Sequence, residues 1–138
     1  MLKSQKKSED RRQRRSSEPQ TALSYQLDRV VEDFGLDCCL IVDEKGEVVA
    51  GSPDTSAPLM QDFASLLPLL SIMCEQKSRV ARELRRHRAN LASDELTACV
   101  FRAGGRRLFI GAMGPEAVMN EIAIFRAITG ARRIHGAA

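Results

Sequence analysis

The stretch CCLIVDEKGEVVAGSPD, Cys38 to Asp54, decides the fold. A short apolar run, Cys38 to Val42, is followed by Glu44-Lys45-Gly46, a polar turn with one residue tolerant of positive φ, and then by a second strand pattern over Glu47 to Ala50. Two β-rich runs around such a turn predict a hairpin. The same stretch carries two adjacent cysteines and a cluster of acids, the ingredients of a catalytic or metal site. Consecutive strand residues point to opposite faces, so Cys38 and Cys39 cannot both face one ligand. Asp43-Glu44 at a strand end suits a metal or acid/base pair, but Asp-Glu-Lys-Gly is also an ordinary polar turn, and the turn explains all four residues.

Upstream, Leu23, Leu27, Val30, Val31 and Phe34 recur at helical spacing opposite Asp28, Arg29, Glu32 and Asp33, which predicts an amphipathic helix closed by Gly35. Downstream, Thr55 or Ser56 ahead of Pro58 marks a second helix start. Leu59, Phe63, Leu66, Leu67, Leu70, Met73 and Cys74 form a broad stripe that Val80, Ala81 and Leu84 continue. One long helix from about Ala57 to Arg86, bent at Pro68, accounts for all of them. Leu96 to Arg102 and Arg106 to Met113 around Gly104-Gly105 predict a second hairpin. After Pro115, Val118, Ile122, Phe125 and Ile128 supply the stripe of a closing helix that Gly130 ends. The order α-β-β-α-β-β-α specifies an α/β (α+β) domain with a central, mostly antiparallel sheet and flanking helices.

The 138 residues suffice for one domain, read as residues 20–131, with a basic tail over 1–19 and a short tail over 132–138. The tail reading rests on the near absence of aliphatic side chains in the first 19 residues, which leaves too little surface to offset the entropy of ordering. Charge is segregated: seven Lys/Arg against three acids in residues 1–19, two against nine in 20–74, six against two in 75–88 and six against four in 89–138. The tail offers nucleic acid or an anionic membrane a contact; a solubilising leader explains it equally. Aromatics are 4% of the chain and Trp is absent, so base-stacking platforms are scarce. No apolar run spans a membrane and no secretory leader follows the start, which points to the cytoplasm. Cys38, Cys39, Cys74 and Cys99 lack C-x-x-C spacing, and only His87 and His135 are available to complete a metal set. They read as small reduced residues in or near the core, with no metal and no cofactor implied. No G-x-S-x-G, H-E-x-x-H, kinase or phosphate-loop pattern occurs, so nothing in the sequence asks for an enzyme.

Leu36 to Ala50, LDCCLIVDEKGEVVA, with the long helix after Ala57 and the later hairpin, resembles the roadblock family of small α/β modules over about residues 23 to 130. Roadblock modules carry five strands; four are legible here, and a fifth is either hidden around Arg88 to Ala92 or absent. The resemblance implies a bacterial, non-enzymatic adaptor that forms a homodimer through its long helix and an edge strand. It further implies co-regulation of a small Ras-like GTPase or service in a motility or signalling complex. A ligand-sensing domain of the GAF or PAS type is the alternative, since its helices also flank an antiparallel sheet. Leu69, Ile72 and Ile124 lie outside the helix stripes and are assigned to a partner or dimer interface, a curved sheet being the competing reason for such residues. Arg79, Arg82 and Arg86 share an outer face that suits either an acidic partner or plain solvation near a helix C-terminus.

Overall fold

The structure is a computed structural model and describes residues 19–136, so the expected tail over residues 1–19 lies outside the described residues except for Pro19, which opens the first helix. Helix α1 (residues 19–34) buries Leu23, Leu27 and Val30. It closes at Gly35, whose φ of 63° places it in the left-handed region that glycine enters without strain. The Leu36 N–H donates to Val31 O at 3.0 Å and the Gly35 N–H to Glu32 O at 3.4 Å, which together satisfy carbonyls of the last turn.

Strands β1 (Cys38–Val42) and β2 (Val48–Ser52) form the first hairpin. Asp43 shapes its turn: its Oδ1 accepts from the backbone N–H of Lys45 at 2.9 Å and of Glu47 at 3.0 Å. The register shifts between Ile41 and Val42, the mark of a bulge that accommodates this turn. Strands β3 (Leu96–Ala103) and β4 (Arg106–Met113) form the second hairpin. Gly104 (φ 59°) and Gly105 (φ 74°) supply the two positive φ values of a tight, strand-compatible turn. β1 pairs with β4, so the four-stranded antiparallel sheet has the order β2-β1-β4-β3. Residues 88–92 form no strand; Leu91 is buried there instead, and the Arg85 Nε–H donates to its carbonyl at 2.8 Å.

Helix α2 (Pro58–Ile72) is followed by a 3₁₀ turn, Cys74–Gln76, and by helix α3 (Lys77–Leu84). The single helix expected to Arg86 is therefore two, and the break falls at Met73 (φ −122°, ψ 80°), while Pro68 is carried inside α2. Length gives the reason. Fifteen helical residues span roughly 22 Å, close to the ~26 Å of an eight-residue strand. A straight helix to Arg86 would carry Val80, Ala81 and Leu84 past the end of the sheet, whereas the break returns them to a shared core with Leu91 and Leu96.

The sheet separates two cores. On one face α1 and α4 (Ala117–His135) pack against Cys39, Ile41, Phe101, Leu108 and Ile110. On the other, α2 and α3 pack against Cys38, Leu40, Val42, Phe109 and Met113. The odd-even alternation of β1 thus sends its neighbouring cysteines into different cores, as strand geometry requires. Gly111 lets α2 come close: a Cβ there would lie 2.7 Å from Phe63 Cζ and closer still to Leu67.

Helix α4 departs from expectation twice. It does not stop at Gly130 but runs to His135, where the Gly136 N–H donates to Arg132 O at 2.8 Å. Gly130 is buried and meets Gln26 of α1, whose Cδ would stand 2.6 Å from an added Cβ. The helix also presents the opposite face: Asn120, Ala123, Ile124, Ala127, Gly130 and Ala131 are buried, whereas Val118, Ile122 and Phe125 are exposed. Small side chains let α4 approach the sheet closely while the strands supply the bulk. Val118, Ile122 and Phe125 therefore mark the outside of this helix, whereas Ile128, the fourth residue of the expected stripe, is half-buried against the α1–α4 core.

Candidate interaction surfaces

Chemistry at the opening hairpin is absorbed by structure. Burial pushes the Cys38 thiol up to about 12, and burial raises the Cys39 thiol as well, so neither supplies a thiolate near neutral pH. Asp43 is occupied by its turn, and Glu44 accepts from Arg107 Nε at 3.1 Å. Among the described residues no group of three or more His, Cys, Asp or Glu could hold a metal ion. Cys99 is half-buried and Cys74 is exposed at the α2–α3 break, so Cys74 departs from the core position expected of it. No described helix is long and apolar enough to cross a membrane.

Two apolar surfaces remain among the described residues. The first lies on the α2 side of the sheet, where Ile72 is 60% exposed, with Met73 and Val100 also open to solvent. Ile72 ends α2, and Met73 follows where the broken backbone lifts side chains away from the core. Val100 shares its sheet face with Leu96 and Ala98, which pack toward α2, but it sits on β3 at the sheet's outer margin. Leu69 is half-buried beside this surface. Arg79 and Arg82 are exposed on α3. Arg86, beyond its end, is also exposed, and its Nη2 pairs with Glu83 at 2.9 Å, a contact between solvated groups that contributes little. The side chain of His87 meets the carboxylate of Asp62 and so ties the turn after α3 to α2.

Ile124 does not join these residues. It is 4% exposed and belongs to the α1–α4 core, so its assignment to an interface is corrected. The wheel had taken the outer stripe of α4 for the inner one, which moved Ile124 to the wrong side.

That outer stripe is the second surface: Val118 (67% exposed), Ile122 (48%) and Phe125 (73%), one above another at i, i+4 and i+7. Sequence reasoning missed it as a surface, although Ala123, Ala127, Gly130 and Ala131 mark the close-packing side directly opposite. Beside it Arg126 bridges the helices, pairing with Asp33 of α1 at 2.9 Å and lying 5.5 Å over the Phe34 ring. A cleft of about 200 Å³ at the start of α4 is lined by Phe34, Pro115, Glu116, Met119 and Asn120. Asn120 is fully buried and donates through Nδ2 to Gly114 O at 3.0 Å and Glu95 O at 3.2 Å, which anchors the first turn of α4.

An antiparallel sheet of this order, with the first and last helices on one face and the middle helix pair on the other, is a roadblock-like fold. Among solved structures the chain is similar to Myxococcus xanthus MglB, with a TM-score of 0.50 and 14% sequence identity over 83% of this chain and 88% of that one. No family model and no curated protein matches the sequence. The chain therefore shares a backbone architecture with MglB, while few of its residues coincide.

Proposed function

We propose that this chain is a non-enzymatic adaptor of roadblock type that forms a homodimer on the α2 side and co-regulates a small Ras-like GTPase. The observation that carries the reading is the joining of a roadblock-like fold to exposed apolar side chains on the α2 side, Ile72, Met73 and Val100, the last on the eight-residue edge strand β3. Apolar side chains beside an unpaired strand edge suit a second copy, because strand pairing satisfies the backbone while the helix buries its apolar end. A dimer of this kind extends the sheet across two subunits and gives a broad platform on which a GTPase can be held. Arg79 and Arg82, exposed on α3, suit an acidic partner beside that platform. Cytoplasmic residence in a bacterium follows from the same reading.

Light scattering tests the dimer: the expected mass is twice 15.3 kDa, and Ile72→Glu returns it to 15.3 kDa with the fold intact by circular dichroism. Affinity capture followed by mass spectrometry tests the partner, the expected result being a small Ras-like GTPase whose hydrolysis or exchange rate changes when the purified chain is added. A monomer at high concentration, or captured GTPases whose kinetics the chain leaves unmoved, overturns the reading.

A further inference from the structure

The outer face of α4 changes character along its length. Val118, Ile122 and Phe125 form an exposed apolar ridge, Glu121 flanks that ridge, and Arg132 and Arg133 are exposed beyond it, toward the C-terminal end. Glu121 and Arg132 are 11 residues apart, three helical turns, so they stand on the same flank of the helix about 16 Å from one another along its axis. Arg132 donates through Nε to Arg102 O at 3.1 Å, and neither it nor Glu121 forms an ion pair among the described residues. We infer that this face binds a second copy of itself, on the side of the sheet away from the proposed α2 dimer, with the two α4 helices antiparallel across a two-fold axis. An axis level with the point between Arg126 and Ala127, midway from Glu121 to Arg132, sets each Glu121 opposite Arg132 of the second copy, so the charge contact is made twice. The same axis leaves the two Phe125 side chains about 5 Å apart along the helices, where the most exposed residue of the ridge covers its own image. Ile122 then meets the aliphatic stem of Arg133 of the second copy.

Helix α1 fits the same arrangement. It runs antiparallel to α4, with Gln26 against Gly130 and Phe34 beside Met119. Arg126 is already held by Asp33 and Phe34. Of the remaining charges on α1, Asp28 and Arg29 lie near the level of the axis, which brings Asp28 toward Arg29 of the second copy, and Glu32 lies on the side that Arg133 of the second copy approaches. The balance of charge argues against other occupants. Asp28, Glu32, Asp33 and Glu121 stand against Arg29, Arg126, Arg132 and Arg133, so the face as a whole attracts neither an acidic partner, nor a basic one, nor an anionic bilayer. Glu116, just ahead of α4, and the half-buried His135 at its end lie outside the paired span. Acid at one end of an apolar ridge and arginine at the other are satisfied together by the same pattern reversed, which an antiparallel copy supplies.

The test is sedimentation equilibrium of the full chain carrying Ile72→Glu, a substitution on the opposite side of the sheet that keeps this contact apart from the α2-side dimer. Three large side chains per copy make a contact below the standard interface size, so the mass is expected to rise from one chain toward two between about 10 µM and about 1 mM. Phe125→Ser is expected to hold it at one chain. Glu121→Arg and Arg132→Glu, each alone, put like charges together at both ends of the contact and are expected to weaken association by about tenfold or more. An equimolar mixture of these two variants is expected to restore it, because the new arginine of one meets the new glutamate of the other. If Ile72→Glu leaves a dimer in dilute solution, the α2-side reading fails, and the same rise from two chains toward four supports this one. A mass that does not change with concentration overturns the inference, as does a mixture that associates no better than either variant alone. Association that Phe125→Ser leaves intact overturns it too, since the second copy would then lie elsewhere.

Discussion

Replacing Ile124 and Phe125 by alanine, one at a time, tests the orientation of α4 directly, because these adjacent residues, about 100° apart around the helix, have opposite environments. Ile124 is 4% exposed and packed in the α1–α4 core; Phe125 is 73% exposed. Truncating a buried isoleucine costs about 2–5 kcal/mol, from lost transfer energy and the cavity left behind. With roughly 2.1 cal/mol/K of unfolding entropy per residue over about 120 ordered residues, each ~0.25 kcal/mol corresponds to about one degree, so a loss of ~3 kcal/mol lowers Tm by about 12 °C. Truncating the exposed phenylalanine changes stability by no more than ~0.5 kcal/mol, about 2 °C, and alanine's better helix propensity works against even that. Calorimetric or fluorescence melts at two protein concentrations give both numbers. A fall in Phe125→Ala equal to that in Ile124→Ala at both concentrations would refute the assignment of faces.

Three further outcomes follow from the geometry. Gly111→Ala forces Phe63 and Leu67 away from the sheet and is expected to destabilise by ~1–3 kcal/mol in urea unfolding, as overpacking does; an unchanged midpoint would contradict the close approach of α2. Asp43→Ala removes the acceptor for two backbone donors and is expected to cost about 1 kcal/mol without altering the secondary structure seen by circular dichroism. Asp54 accepts from the Ser56 hydroxyl and, secondarily, from the Ser56 N–H, which holds its carboxyl below the usual range. A depressed folded-state pKa contributes stability that is complete above the ordinary aspartate value near ~4 and lost as pH falls through the folded value. Asp54→Asn is therefore expected to lower Tm slightly at pH 7, to converge with the unsubstituted chain in acid, and so to make the acid limb of Tm against pH shallower between about pH 5 and 2; a limb of undiminished slope would show that Ser56 does not hold the carboxylate.

The β-structure was legible because each hairpin carries its own turn chemistry, and alternation along β1 assigned Cys38 and Cys39 to different faces without knowledge of what covered them. Helices were legible as elements, but less so as faces. On α2 the large residues Phe63, Leu67 and Leu70 are buried as the wheel places them, whereas Met73 and Cys74 at the end of the expected stripe are exposed. On α4 the residues that touch the sheet are mostly alanine and glycine, and a wheel weighted by hydrophobic bulk turns the helix around. Gly130 misled for a related reason, since a glycine near the end of a periodic run reads as a stop, and its role in packing against Gln26 depends on α1, about 100 residues earlier in the chain. The break at Met73 reflects the length of the sheet, a quantity that no local window contains. Of the interface residues inferred from sequence, Ile72 is exposed where an off-stripe apolar residue should be, and Ile124 is not, because its stripe had been misplaced.

The adjacent cysteines of β1 have a practical consequence. Cys38 is walled in by the α2–α3 layer and Cys39 by the α1–α4 layer, and both are shut off from solvent in the native state. Each thiol can be modified only when its own layer lifts off the central strand. With Cys74 and Cys99 replaced, the labelling rates of Cys38 and Cys39 become two clocks set one residue apart, one for each layer. Unequal rates would mean that the two sides of the sheet open independently, and equal rates that the sheet and its four helices come apart as one unit.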